Sequence, residues 1–241
     1  MLTAVRFSRR AALLAAGLAL LAASLTAQTV QLRYDATVAS GPITGRAFVF
    51  IARTDRSEPR QQAGSKRSSE PFFGVDVHAL RPGDVATIDA TTLGFPVASL
   101  KQLPAGEYFV QGMVLPYTQF RRADGHTIWA HMDAWEGQRF NNAPGSLVSA
   151  VQKLRIDPAT NPTISLSLTT VLPPVRSIAD SPWVKRFTMP SKKVSAFWNH
   201  DMPIGAVVLL PQGLRTAQHQ ALSRGVHRRP LQRTRALWLH S

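Results

Sequence analysis

Two pairs of polar side chains have the residue types and the spacing to begin a metal site. Asp76 and His78 lie two residues apart, and so do His131 and Asp133, beside Trp129. Residues two apart share one face of a β-strand, and both imidazole and carboxylate groups bind zinc. A third ligand is not identifiable for either pair. The pairs therefore favour a polar strand surface, and we assign no metal-binding or cofactor-binding residue.

Aromatic rings are a second source of chemistry, because their faces can stack on sugar rings. Trp129, Trp135, Tyr108 and Tyr117 are the candidates for such a carbohydrate platform. The alternative is that they are core residues, which is the usual role of aromatic side chains in a β-sandwich. We assign Trp129 and Trp135 as the candidate ligand contacts.

The sequence shows no recognisable catalytic centre. It lacks the G-x-S-x-G elbow of α/β-hydrolases, since Gly145-Ser146 does not have that frame, and it lacks the P-loop, dinucleotide and H-E-x-x-H patterns. It has no cysteine, which excludes disulfides, thiolate zinc sites, iron–sulfur clusters and cysteine nucleophiles. Asp124-Gly125 predicts a turn, which makes His126 a loop residue. No catalytic residue is assigned.

Short apolar runs separated by turn signals predict that these residues are carried by β-strands. Two runs alternate between apolar and polar side chains, as half-buried strands do, and one is continuously apolar, as in a strand covered on both faces. The predicted strands are residues 32–38 (alternating), 44–53 (continuous), 107–115, 147–156 and 163–169 (alternating). The fold class that follows is mainly β, with an antiparallel, Ig-like β-sandwich over residues 28–175.

Residues 53–70 interrupt this pattern. The segment RTDRSEPRQQAGSKRSSE is polar and poor in apolar residues, which predicts an exposed, mobile loop. Its basic residues offer contacts to an anionic partner, but no aromatic residues are interleaved for nucleic-acid stacking.

The positive charge of the chain is concentrated at its two ends. The formal net charge is +14, yet three arginines lie in residues 1–27 and six in residues 214–241, and neither end contains an acid. Without these nine arginines the charge of residues 28–213 is +5. A mildly basic body gives no reason to predict a nucleic-acid partner.

Residues 1–27 have the organisation of an export signal. A basic stretch from Arg6 to Arg10 precedes an apolar run of small residues that ends at Ala27. The run is shorter than the roughly 20 apolar residues of a bilayer span. We therefore predict a cleaved signal peptide, a mature chain that begins at Gln28, no membrane span after cleavage, and a periplasmic or secreted location. A retained anchor is the alternative, and the general and twin-arginine export routes both stay open.

Three further segments resemble a known family. PFFGVDVHALRPGDVATIDATTLGFPVASLKQLPAGEYFVQGMV, NNAPGSLVSAVQKLRID and WVKRFTMPSKKVSAFWNHDMPIGAVVLLPQG are similar to the N-terminal region of exported bacterial esterases. In that family a β-rich domain precedes an esterase D-like α/β-hydrolase domain. The most specific segment is Val184–Gly213, where a strand, a serine-rich bend, a Phe-Trp pair and a second strand resemble the start of the catalytic sheet. The resemblance covers roughly residues 72–213 and places the linker and first hydrolase strands in residues 176–213.

The resemblance ends abruptly after Gly213. Relatives continue with Gly-Tyr and a buried strand of the R-Y-P-V-V-Y kind, whereas residues 214–241 contain six arginines and no strand pattern. Permitted codons read one nucleotide later allow the expected phrase, so we predict a frameshifted, disordered tail. A basic tail for nucleic acid or membrane is the alternative. In the family the nucleophile, acid, histidine and oxyanion-hole loop lie downstream, and Ser191, Ser195 and His200 do not match an elbow.

The sequence therefore predicts a truncated, exported hydrolase. The chain is the N-terminal part of a serine esterase, inactive by itself, whose full-length relative acts on an ester or polysaccharide substrate of unassigned identity. The alternative is a stand-alone secreted β-sandwich module that binds a polysaccharide or a cell-envelope ligand. No cofactor is expected for either function.

Overall fold

The structure is a computed structural model that describes residues 28–132, 139–157, 160, 163–176 and 179–211. These residues are mainly β, which confirms that part of the predicted fold class. In chain order the strands are β1 (Thr29–Tyr34), β2 (Ile43–Ala52), β3 (Phe72–Leu80), β4 (Ala86–Ile88), β5 (Gly94–Phe95), β6 (Gly106–Pro116), β7 (Thr118–Arg121), β8 (Thr127–Ala130), β9 (Leu147–Ser149), β10 (Gln152–Ile156), β11 (Thr163–Val171), β12 (Val184–Pro190) and β13 (Pro203–Leu209). The helical elements are α1 (Pro59–Gln62), α2 (Lys192–Trp198) and 3₁₀ turns at Leu100–Gln102 and Phe140–Asn142.

The chain divides into two compact units. Of the described residues, the larger unit contains those from 28 to 176 together with 189–204, and the smaller unit contains 179–188 and 205–211. The predicted signal segment 1–27 and the predicted tail 214–241 lie outside the described residues. Within the described parts of both units, no helix is long and apolar enough to cross a bilayer.

One nine-stranded sheet makes up most of the larger unit. Its order is β4-β1-β11-β9-β6-β2-β3-β5, and β10 also pairs with β6. β1 lies parallel to β11, from Thr29 opposite Thr163 to Tyr34 opposite Leu168, while the other pairings in this sheet are antiparallel. The sheet is therefore mixed where we predicted an antiparallel one. Pairing between strands so far apart in sequence leaves no local signal in either strand.

The inner core of the domain consists of the buried apolar side chains on one face of this sheet. β1 contributes Val30 and Leu32, β2 contributes Val49, and β11 contributes Leu166, each of them fully buried. β11 confirms the predicted alternation, because its inward residues are buried and its polar ones are exposed.

Strand β2 confirms the prediction of a strand covered on both faces, since residues 47–52 are all buried. Val49 and Ile51 belong to the inner core, whereas Phe48 and Phe50 belong to a second apolar cluster on the opposite face. Successive side chains of a strand point to opposite faces, so a continuous apolar run needs cover on both. We call this second group, which includes Met113 and Leu115, the outer cluster.

Two of the predicted strands differ from the observed ones. The strand expected over residues 32–38 ends at Tyr34, because Asp35 Oδ1 accepts a hydrogen bond from Thr37 N at 2.9 Å and forms a turn. The strand expected over residues 147–156 is split into β9 and β10. At the split, Ser149 Oγ accepts a hydrogen bond from the backbone N of Gly112 at 2.9 Å, so a side chain replaces a ladder bond.

The prediction that residues 53–70 form an exposed loop is wrong for the middle of the segment. Pro59 and Arg60 are buried in α1, and Ala63 lies in the outer cluster. A polar composition favours exposure on average, but three well-placed residues are enough to pack the segment against the sheet.

Arg60 is buried, although the polar composition of its segment predicted exposure. It is only 5% exposed, and its Nε lies 2.7 Å from Glu58 Oε2. Its Nη1 donates to Asn141 O at 3.0 Å and to Asn142 Oδ1 at 2.8 Å. Gln111 Nε2 also donates to Glu58 Oε2 at 2.8 Å, which ties the segment to β6. A buried guanidinium is tolerated because its charge is paired and its donors are hydrogen-bonded.

The domain is expected to lose stability at acid pH through Glu58. Burial opposes ionisation of this carboxyl, but hydrogen bonds from Arg60 and Gln111 and the charge of Arg60 outweigh it, so its pKa lies below the ordinary value of 4.5. A carboxylate whose pKa is lowered in the folded state stabilises the fold at any pH above its ordinary pKa of 4.5, and this contribution disappears as the pH falls through the folded-state pKa. Urea unfolding is measured at a series of pH values that starts above pH 4.5 and descends through the folded-state pKa. Over this series the free energy of unfolding is expected to fall further for the wild type than for Glu58→Gln. Identical losses in the two proteins would contradict this assignment.

Helix α2 takes the place of the predicted serine-rich bend. Ser191 Oγ accepts a hydrogen bond from Val194 N at 3.3 Å and caps the first turn. Asn199 ends the helix in the left-handed conformation, with φ at +48°. A cap at each end is sufficient to define this short helix.

Strands β12 and β13 form a separate two-stranded sheet. Ser191 N donates to Met202 O at 2.9 Å, and Leu210 N donates to Trp183 O at 2.7 Å, so the two strands run in opposite directions. No residue of either strand is buried. We call this pair of strands the terminal hairpin.

Candidate functional site

Strand β3 carries the pair Asp76 and His78 on its exposed side, as their spacing predicted. Asp76 lies directly opposite Arg46 of β2 in the strand register. Arg46 Nη1 is 2.7 Å from Asp76 Oδ1, and Arg46 Nη2 donates to the carbonyl oxygen of Gly74 at 2.9 Å. Two hydrogen bonds therefore fix the guanidinium next to the carboxylate.

The β7–β8 hairpin brings Trp129 to the same surface. The Trp129 and His78 ring centroids lie 6.1 Å apart, with the rings edge to face at 72°. Trp129 is 41% exposed, so part of its indole face stays open to solvent. Two residues that were singled out separately in the sequence are thus neighbours.

Tyr117 lies next to the Arg46–Asp76 pair. Its backbone N donates to Thr44 O at 2.8 Å, and its half-buried ring packs against the outer cluster. Burial raises the pKa of the Tyr117 hydroxyl; the charge of Arg46 lowers it and that of Asp76 raises it. The strand register places Leu115 opposite Arg46 and Pro116 opposite Gly45, so Tyr117 follows directly beside Arg46 along the sheet.

We call Arg46, Asp76, His78, Tyr117 and Trp129 the outer patch. It presents a guanidinium, a carboxylate, an imidazole, a phenol hydroxyl and an open indole face. These groups suit a neutral ligand that has several hydroxyls and an apolar face, which is the character of a saccharide.

Several other sequence candidates lie elsewhere. Tyr108 is 2% exposed and donates its hydroxyl to Pro104 O at 2.7 Å, so it is a core residue, as the alternative interpretation of these aromatic residues has it. His131 Nδ1 lies 3.4 Å from the carbonyl oxygen of Pro116. Asp133 and Trp135 lie outside the described residues.

A metal centre finds no support within the described ranges, where no group of three or more His, Cys, Asp or Glu residues is placed to hold an ion. The turn predicted at Asp124-Gly125 is confirmed, with Gly125 at a φ of +86°. His126 is an exposed turn residue, and its Nδ1 lies 3.2 Å from Asp124 Oδ1.

The serines and the histidine near the end of the described chain have local structural roles. Ser195 Oγ accepts a hydrogen bond from Met202 N at 2.8 Å, and Ser191 Oγ caps α2. The His200 ring packs 5.7 Å from the ring of Phe120. Ser191 therefore caps a helix, Ser195 holds the backbone of Met202, and His200 packs on an aromatic ring.

Arg46 is the member of the outer patch that the sequence analysis did not single out. It is the only charged residue in β2, within a run that is otherwise apolar apart from Thr44 and Gly45. A lone arginine in a strand covered on both faces needs a partner for its charge, and this was the signal by which the sequence could have identified Arg46.

Comparison with protein-family models, with curated proteins and with solved structures finds no match to this chain.

Proposed function

We propose that this chain is the N-terminal part of an exported serine esterase. It comprises a β-rich domain and the first strands of the catalytic domain, and it is itself inactive because the catalytic remainder is not encoded in frame. Two features support this proposal: the family resemblance of residues 72–213 and the uncovered apolar surface of the terminal hairpin.

The terminal hairpin is the observation that carries the proposal. Phe187, Met189 and Leu209 are 53%, 58% and 76% exposed, and neither strand contains a buried residue. In α/β domains such strands are covered by helices and extended by further strands. An isolated two-stranded hairpin is at best marginally stable in water. The apolar side chains of these strands are therefore typical of strands inside a larger sheet, and the described residues between 28 and 211 do not cover them.

The β-rich domain fits the proposed sandwich in one respect beyond its strand content. A Cβ added to Gly112 of β6 would lie 2.7 Å from Leu32 Cδ2 of β1, although β11 and β9 separate these strands in the sheet order. This closeness of distant strands across the curled sheet supports the Ig-like sandwich that we propose for the domain.

The mature chain, residues 28–241, is expected to hydrolyse p-nitrophenyl acetate no faster than buffer. The assay follows p-nitrophenol release from the purified protein, whose folding is checked by circular dichroism. Turnover that a serine-directed inhibitor abolishes would overturn the proposal that the chain lacks its catalytic groups.

The outer patch supports a second function, the binding of a polysaccharide by the β-rich domain. The specific observation is the open indole face of Trp129 beside His78 and the fixed Arg46–Asp76 pair. Stacking on the indole and hydrogen bonds to the charged pair would together orient a sugar ring. This function is compatible with the esterase proposal, because a binding region can hold the polymer whose esters the complete enzyme cleaves.

Trp129→Ala is expected to weaken binding about tenfold and so to reduce retention of the domain on a polysaccharide affinity gel, because the stacking face is removed. Trp183→Ala is the matched control, since Trp183 is 51% exposed and lies outside the patch. Trp135→Ala tests the second tryptophan assigned from the sequence. Equal retention of Trp129→Ala and Trp183→Ala would count against the outer patch as the binding site.

A further inference from the structure

Gln28 directly precedes β1, and its side chain continues the row of buried side chains on that strand. Residues 28, 30, 32 and 34 are buried, whereas residues 29, 31 and 33 are at least partly exposed. Val30 and Leu32 on the same side belong to the inner core. Gln28 is itself only 1% exposed. Strand parity therefore directs its carboxamide toward apolar surroundings.

The carboxamide of Gln28 is poorly matched to this position. Neither Nε2 nor Oε1 has a hydrogen-bond partner among the described residues. An amide buried without partners loses its bonds to water and gains none in return. Cleavage after Ala27 would add a charged α-ammonium to the same residue, and a charge is still more costly to bury.

We propose that Gln28 is the mature N-terminus and that it is converted to a pyroglutamyl residue. The proposal rests on the export assignment, because only cleavage after Ala27 frees the amine of this glutamine. The free α-amine nitrogen attacks Cδ of the side chain, and a new N–Cδ bond closes a five-membered lactam. The Cδ–Nε2 bond breaks, and Nε2 leaves as ammonia with a proton from the amine. No further reactant is needed.

Cyclisation removes both unfavourable groups in one step. The α-amine becomes a neutral lactam N–H, and the two amide donors on Nε2 are lost. What remains is a compact ring with one donor and one carbonyl acceptor, attached to the first residue of β1. Closure occurs while the terminus is extended, before β1 docks against β11.

The experiment expresses the full chain with its own first 27 residues in a bacterial host and isolates the exported protein. The peptide released by trypsin at Arg33 is expected to be lighter than Gln28–Arg33 by the mass of one ammonia and to resist aminopeptidase digestion. A free glutamine at residue 28 in the folded protein would overturn the cyclisation and leave the export assignment intact. A chain that retains Met1 would overturn both.

Stability provides an independent readout. Gln28→Asn cannot close a five-membered lactam and keeps its free amine. Residues 28–241 made in the cytoplasm behind an initiator methionine keep the carboxamide of Gln28, because the nitrogen of Gln28 is then in a peptide bond and cannot attack Cδ. Both are expected to unfold about 2–4 °C below the cyclised protein. Equal unfolding temperatures in all three would contradict the argument that the buried terminus favours the ring.

Discussion

Restoring the reading frame after Gly213 is expected to turn an inactive chain into a serine esterase. In the esterase family that we propose for this chain, the nucleophile elbow, the acid, the histidine and the oxyanion-hole loop lie downstream of this residue, and the proposed frameshift removes them. A serine activated by an adjacent base forms an acyl-enzyme, and the oxyanion hole stabilises the charge that develops during attack. Hydrolysis of p-nitrophenyl acetate is expected to rise from the buffer rate to at least about 10⁶-fold above the uncatalysed reaction.

The control for this experiment is the same restored protein with its elbow serine replaced by alanine. It is expected to fold normally and to lose the activity that a serine-directed inhibitor also removes. A downstream frame without a Gly-x-Ser-x-Gly sequence would contradict the frameshift, and the arginines of residues 214–241 would then be a native basic tail.

Frame restoration is also expected to cover the terminal hairpin. Trp183 is 51% exposed and Leu209 is 76% exposed, so new strands and helices packed on the hairpin would move both from water into an apolar environment. The measurement is the fluorescence of Trp183 against a Trp183→Phe background, with an expected shift to shorter wavelength. Unchanged emission from an active restored protein would show that the hairpin is not part of the catalytic sheet.

Local apolar patterns predicted the strands in which the order of apolar and polar residues alone shows which faces are buried. β2 and β11 follow from a continuous and an alternating apolar pattern, because side-chain parity is set by the strand itself. The parallel pairing of β1 with β11 is set by two segments more than a hundred residues apart in sequence. No window within either segment encodes it, so the mixed character of the sheet escaped prediction.

The outer patch shows the same division between local and non-local information. The shared face of Asp76 and His78 followed from their spacing, and Trp129 was assigned as a candidate ligand contact. Their proximity depends on where the β7–β8 hairpin lies, and Arg46 enters only through the register of β2 with β3. Sequence therefore nominates residues of such a patch one at a time, whereas the fold determines which of them meet.

Arg60→Met is expected to destabilise the domain by about 1–3 kcal/mol, because it leaves buried polar groups without the donors that Arg60 supplies, while the Glu58 side chain is 42% exposed and keeps water as an alternative partner. Glu58 would lose the guanidinium at 2.7 Å. Asn141 O and Asn142 Oδ1 would lose the Nη1 donor that they share. Methionine fills a similar volume, so the loss reflects unpaired polar groups rather than a cavity. The measurement is urea unfolding of residues 28–241 followed by circular dichroism.

Arg56→Met is the matched control within the same segment. Arg56 is exposed, and its replacement is expected to change the free energy of unfolding by less than about 0.5 kcal/mol. The double variant Glu58→Gln, Arg60→Met removes both charges and is expected to unfold with a free energy close to that of Arg60→Met, since the Glu58 carboxylate is partly exposed to water. If Arg60→Met and Arg56→Met were equally mild, residues 53–70 would be the solvated loop that their composition indicates. The packing of α1 against the sheet would then contribute nothing measurable to stability.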